Sequence, residues 1–304
     1  MDNLNEEIKT EKNSKSNLVL NIILGVCFLL IFSCYLFGAP TREKDLITHI
    51  SSSDSLTKIS NDLKNKKVVR YSYISKILVY IFSGDKLVPS GDYLFKKGEN
   101  VFSVSWQLSR GKHGVEPIRV TFKEGISRED MANLLADKIP SFRKDLFLSD
   151  ERSKDGYLFP DTYFFFPLST TDEILDEITK NFSKKILSID KELKASGKSL
   201  SDIIVMASIL EKEASGKNDI SLISGILWKR TELGMPLQVD AAPSTYKEIG
   251  LPDTPISNPG LLSIKAAIDP KSSPYLFYLH DHNGQVHFAF DFNGHRSNIA
   301  KYLK

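Results

Sequence analysis

The hydrophobic pattern of the chain falls into three regimes. From Asn17 to Ala39 it reads NLVLNIILGVCFLLIFSCYLFGA, with no charged residue between Lys15 and Arg42. A run of that length crosses a bilayer core as one helix. A cleaved signal peptide is disfavoured, because the run exceeds an h-region and Pro40 follows its small-residue end. A lipoprotein signal ending at Cys34 is disfavoured by Phe32 before it and the apolar YLF after it. Residues 1–16 are polar and charged, and composition predicts a disordered tail.

Beyond Arg42 the apolar positions recur at short helical and strand periods. Ser53 or Asp54 is placed to cap a helix carrying Leu56, Ile59 and Leu63, and Ile74, Ile77, Leu78 and Ile81 mark a second. PSGDYLF predicts a turn into a strand, and Val101, Val104 and Leu108 a further helix ending before Gly111. These elements make a small α+β module over residues 46–114. PIRVTF is a strand. Glu124-Gly125 turns the chain, and Ser127 with Asp130 resembles a capping box ahead of Met131, Leu134 and Leu135. Ile174, Ile178, Phe182 and Ile186 form the ladder of a scaffold helix, and Ile220, Ile223 and Leu227 mark a helix that stops at Gly234. Asn258 as N-cap and Pro259 at N1 predict the start of a helix over LLSIKAAI. Tyr275–Leu279 is a strand, and alternating Val286, Phe288, Phe290 and Phe292 predict the last one.

The third regime is the stretch from Leu200 to Ser215. Ser199 or Ser201 caps a helix in which Ile203, Ile204, Ala207 and Leu210 share a buried stripe. Glu211 falls on the edge of that stripe, while Glu213 lies about 200° around the helix from it and points elsewhere. A carboxyl group held against apolar surface loses hydration, which favours its protonated form. A carboxylic acid still protonated near neutrality is what protonation of a glycosidic oxygen requires. From the helix alone the commoner reading is that Glu211 is a flanking charge that reaches water.

Composition narrows the chemistry. The formal net charge is +2, which does not point to nucleic acid. Both cysteines, Cys27 and Cys34, lie inside the apolar run, so the rest of the chain has neither a disulfide nor a thiol nucleophile. No G-x-S-x-G elbow, phosphate-binding glycine loop or H-E-x-x-H is present. His280, His282 and His287 are the remaining candidates for a metal, and no metal or other cofactor is expected.

Four blocks carry a resemblance: GYLFPDTYFF from Gly156, ASILEKEA from Ala207, LGMPLQVD from Leu233, and GLPDTPISNPG from Gly250. In this order, behind one apolar helix, they resemble the MltG-type (YceG-like) endolytic murein transglycosylases, from about residue 45 to the end. The resemblance implies an α+β fold: residues 1–16 a cytoplasmic tail, 17–39 a transmembrane helix, 46–114 a LysM-like glycan-binding module, and 115–304 the catalytic domain. It implies an extracytoplasmic catalytic domain, which the lysines and arginines on the two sides of the span do not decide. It implies Glu211, first glutamate of the E-K-E triplet, as general acid and then base. Peptidoglycan strands would be the substrate, with peptidoglycan synthases and the elongation machinery as partners.

The resemblance also implies substrate contacts from Asp155, Tyr157, Gln238, Asp240, Tyr246, Asn258 and His287. Each has a structural alternative: the aromatic block can be core, Asn258 a helix cap, and His287 an ordinary strand residue. Two departures from the family stand out. Asp155-Gly156 replaces the usual Glu-Gly, and Ala241 follows Asp240 where a proline and a longer insertion are usual, so one wall of the cleft should be trimmed. Those departures leave open a catalytically inactive, membrane-anchored glycan binder. A plain hydrolase using Glu211 and water is a further alternative, separated by its reducing-end products. An older association of the family with aminodeoxychorismate lyase finds no cofactor motif here.

Overall fold

The computed structural model describes residues 2–84, 86–213 and 219–303. The chain divides into two units, Met1–Glu116 and Pro117–Lys304.

The first unit opens with α1 (Asp2–Phe37), a helix of 36 residues. Its stretch Leu20–Phe37 has a mean hydropathy of 2.5 and none of it is buried, so it is long and apolar enough to cross a membrane. The polar tail, expected to be disordered, instead begins this helix. No glycine or proline occurs before Gly25, and Glu and Lys are good helix formers. There follow β1 (Leu46–Ile50), α2 (Leu56–Asn65), α3 (Ser72–Ser83), β2 (Gly91–Phe95) and α4 (Val101–Ser109). The strands pair antiparallel with Leu46 opposite Phe95 and His49 opposite Asp92. Ser55 caps α2, accepting from the Lys58 amide at 3.2 Å, in place of the expected Ser53 or Asp54. Ile59, Leu63, Val79, Tyr93, Phe95, Val104 and Leu108 close the core of this unit.

The second unit contains two hydrophobic clusters. The first joins β3 (Ile118–Thr121), α5 (Arg128–Lys138), α6 (Lys144–Ser149), β4 (Thr162–Phe165) and α7 (Thr171–Leu187). β3 and β4 pair antiparallel, with Val120 opposite Tyr163. Ser127 caps α5 by accepting from the Asp130 amide at 3.1 Å. Most of the aromatic block is therefore core: Leu158, Phe159, Tyr163 and Phe165 are all buried.

The second cluster is built around α9 (Leu200–Glu213), with α8 (Asp190–Ser196), α10 (Ile220–Glu232) and α11 (Leu261–Ile268). Ser199 caps α9, accepting from the Asp202 amide at 3.0 Å. Every residue from Ile203 to Leu210 is buried, where the sequence predicted a single stripe. A helix apolar on all sides belongs at the centre of a fold. Residues 214–218, which include the end of the expected helix, lie outside the described residues.

The chain ends in a hairpin of β5 (Phe277–His280) and β6 (Val286–Ala289), followed by α12 (Phe292–Tyr302). The predicted last strand is thus shorter than its alternation suggested. Asp291 accepts from the Gly294 amide at 2.8 Å and starts a helix at Phe292. Asn258 is likewise not a helix cap. Gly260 holds the N-cap position of α11, and Pro259 precedes it.

Candidate functional site

Two glutamates leave the buried core at the last turn of α9, and they enter different surroundings. Glu211 faces the start of α11. Its Oε2 accepts from the Gly260 amide at 2.8 Å and from the Ser263 hydroxyl at 2.6 Å. Gly260 has no side-chain cap of its own, so Glu211 supplies the negative charge and the acceptor that a helix N-terminus lacks. The space around it is tight: a Cβ on Gly125 would lie 3.3 Å from the Glu211 Cγ. One on Gly260 would overlap the Glu124 carboxylate.

Glu213 lines an open cavity of about 430 Å³. Gln238, Asp240 and Tyr246 line it too, with Arg230 of α10, Phe277, Tyr278 and His280 of β5, and Phe292, His295 and Ile299 of α12. Glu213 was expected to point away from Glu211, and the two side chains do enter different surroundings; the cavity lies on the Glu213 side. The Tyr278 hydroxyl donates to Glu213 Oε2 at 3.1 Å, and the Ala241 amide approaches Oε1 at 3.5 Å. Burial holds the Tyr278 phenol well above its ordinary pKa, and the Glu213 carboxylate adds to the shift. Tyr278 therefore remains a proton-bearing donor across the neutral range.

Asp240 accepts from the Tyr246 hydroxyl at 2.5 Å, and this bond raises the pKa of Tyr246. The short segment between them is held by Thr245, whose hydroxyl donates to the Ala242 carbonyl at 2.6 Å and accepts from the Val239 amide at 3.1 Å. Arg230 is only 5% exposed, and burial lowers its pKa. It donates to the Leu237 carbonyl at 2.9 Å and to Gln238 Oε1 at 2.8 Å, and its guanidinium lies 5.2 Å from the centre of the Phe277 ring. His295 is held below its ordinary pKa by burial and then by the charge of Arg230, which leaves it neutral at pH 7.

The other expected substrate residues lie elsewhere. Asn258 is 0% exposed and ties three segments together. Its Oδ1 accepts from the Gly156 and Leu158 amides at 2.8 and 3.1 Å, and its Nδ2 donates to the Ile126 carbonyl at 3.0 Å and to Asp155 at 3.2 Å. Asp155 also accepts from the Arg128 amide at 2.6 Å, and burial raises its pKa despite both bonds. Tyr157 packs on the core, with its ring edge-on to Phe182 at 5.3 Å. His287 pairs with Asp281 at 3.0 Å and stacks on Tyr302 at 3.6 Å. Three of the seven thus meet at the cavity. Among the described residues, no group of three or more His, Cys, Asp or Glu is placed to hold a metal ion.

Arg230 and Tyr278 were not singled out from the sequence, and His280 entered only as a metal candidate. Arg230 had one signal, a cation within the apolar period of Ile223 and Leu227. Tyr278 had none, since the hairpin reaches the cavity only through the tertiary fold.

The chain matches the YceG-like family over residues 48–243 and 244–301. It is 26% identical to a Bacillus subtilis protein named endolytic murein transglycosylase, over 90% of this chain and 91% of that one. A Streptococcus pneumoniae protein of the same name is 24% identical over 60% of this chain and 40% of its own length. The crystal structure of a yceG-like protein from Listeria monocytogenes superposes with a TM-score of 0.55 at 25% identity, covering 84% of this chain and 99% of that one. With matched segments covering most of its length, this chain belongs to the YceG-like family.

Proposed function

We propose that the chain is an endolytic peptidoglycan lytic transglycosylase and that Glu213, not Glu211, is its acid and base. One observation carries the assignment. Glu213 shares the cavity with Gln238, Asp240 and Tyr246, whereas Glu211 is engaged by Gly260 and Ser263 at the start of α11.

The bond cleaved is the β-1,4 link from MurNAc to GlcNAc. Glu213 gives its proton to the linking oxygen as that bond breaks and C1 of MurNAc takes on oxocarbenium character. The carboxylate left behind accepts the proton of the MurNAc C6 hydroxyl. That oxygen attacks C1 and closes a 1,6-anhydro ring, so no water is consumed. One carboxyl group serves both steps, and the second carboxylate of ordinary glycosidases is not required. The Tyr278 hydroxyl orients Glu213 and stabilises its ionised form in the second step. Asp240, fixed by Tyr246, offers negative charge to the developing cation.

Support for the substrate class comes from the family and from the two relatives named endolytic murein transglycosylase. The apolar α1 supports a single membrane anchor; the family is the basis for placing the second unit outside the cytoplasm and for reading the first unit as a LysM-like glycan-binding module. The test is Glu213→Gln against Glu211→Gln on purified glycan strands, with anhydro-ended products followed by mass spectrometry. Glu213→Gln should lose about 10²- to 10⁴-fold in rate while remaining folded. Near wild-type release of anhydro ends by Glu213→Gln, with loss in Glu211→Gln, would return the role to Glu211. Reducing ends from the wild type would make the enzyme a hydrolase.

A further inference from the structure

Arg230 is a buried cation with no carboxylate within ion-pair distance among the described residues. Its Nε is buried without a hydrogen-bond partner. An arrangement of that kind is costly and contributes little to the packing of α10. What the guanidinium does hold is the segment Leu237–Gln238, through one backbone carbonyl and one side-chain oxygen. Gln238 needs holding, because its φ is +53°, a left-handed conformation that a side chain with a Cβ rarely adopts.

The contact also fixes the amide. A guanidinium only donates, so the atom of Gln238 facing Arg230 has to be oxygen. The Gln238 nitrogen is then the amide atom turned from Arg230, in an exposed residue that lines the cavity, and it meets no acceptor among the described residues. Donation from a charged group to the amide oxygen polarises the amide and strengthens its own N–H groups as donors. Two fixed donors are therefore offered to the cavity beside Glu213.

We infer that Gln238, oriented by Arg230, recognises a neutral carbonyl oxygen of the bound sugar, namely the acetamido group of an N-acetylated hexosamine. An anion is a poor fit for this wall, because Glu213 and Asp240 face the same space. A hydroxyl would be served by either a donor or an acceptor and needs no fixed amide. An acyl oxygen accepts only, which matches two donors of fixed direction. Gln238 is thus a binding residue and Arg230 a positioning residue. The inference rests on a glycan being the ligand, and it adds which substituent of the sugar is read.

The experiment uses the full chain in detergent micelles and two neutral probes with the same β-1,4 backbone. Tetra-N-acetylchitotetraose carries acetamido groups, and cellotetraose carries hydroxyls in their place. Binding is followed by calorimetry for the wild type and for Gln238→Glu. The glutamate keeps length and the bond to Arg230 but replaces the two donors with an acceptor. The wild type should bind the acetylated probe about tenfold or more tightly than cellotetraose, and Gln238→Glu should lose that preference with its melting temperature retained. A purely structural role for Gln238 would leave the preference intact, since the Arg230 contact survives as an ion pair. Equal preference in the two proteins, or none in the wild type, overturns the inference. Should Gln238→Glu melt early, Gln238→Met repeats the comparison with neither donor nor acceptor. Loss of preference in a protein that makes no anhydro ends would uphold the acetamido contact and reject only the transglycosylase reading.

Discussion

At the scale of single residues, Glu211 and Asp155 show how polar groups conspicuous in a sequence can be engaged by the protein's own donors. Glu211 fastens the end of α9 to the beginning of α11 through Gly260 and Ser263. Glu211→Ala should therefore lower unfolding free energy by about 1–3 kcal/mol, because two donors lose a charged acceptor. Denaturant melts would show it, and a variant as stable as wild type would remove the role. Asp155 makes a pH prediction. Burial raises its pKa in the folded protein, so the folded state holds the proton more firmly than the unfolded chain does. Its contribution to stability is full below the unfolded value of about 3.9 and is lost as pH rises through the raised folded value. Asp155→Asn should flatten that part of the curve of melting temperature against pH, and an unchanged slope would place its origin elsewhere.

Among the elements, α12 is one that sequence pattern concealed. It has no buried residue, yet Phe292, His295 and Ile299 close one side of the cavity. Ending the chain after Asp291 should abolish release of anhydro ends while far-UV circular dichroism falls only by the helix removed. Collapse of the whole spectrum would show that α12 is needed for the fold instead. The buried helices were legible because their apolar periods are long: Ile174 to Ile186 in α7 and Ile203 to Leu210 in α9 both form as read. Gly234, at φ +65°, ends α10 where the glycine was noticed. What the pattern concealed was direction. Alternation through Phe290 and Phe292 looks the same whether the chain continues as a strand or turns at Asp291. A helix buried on all sides does not reveal which of two glutamates beyond it meets a cavity. Gln238, Asp240 and Tyr246 were named because the family resemblance marks them. Tyr278 was missed because only folding brings it there.

On the scale of the whole chain, the two units divide at Glu116, and each has its own apolar core. Deleting residues 46–114 should weaken binding to intact cell wall more than it slows cleavage of short soluble strands. Equal losses in sedimentation with wall material and in product release would make the first unit part of the catalytic machinery.

The last turn of α9 carries two duties on residues two apart: Glu211 clamps a neighbouring helix and Glu213 serves the cavity. A helix advances about 100° per residue, so the two duties depend on counting as much as on chemistry. Point changes along Ile203–Leu210 alter packing by degrees, but one added residue there turns both glutamates away together. In a mutational library of this helix, single-codon insertions should be lost from the active pool far more completely than substitutions at the same sites. If insertions and substitutions survived alike, the α9 turn would not be setting the address of either glutamate. Over evolutionary time this segment should change its letters freely among apolar residues and keep its length.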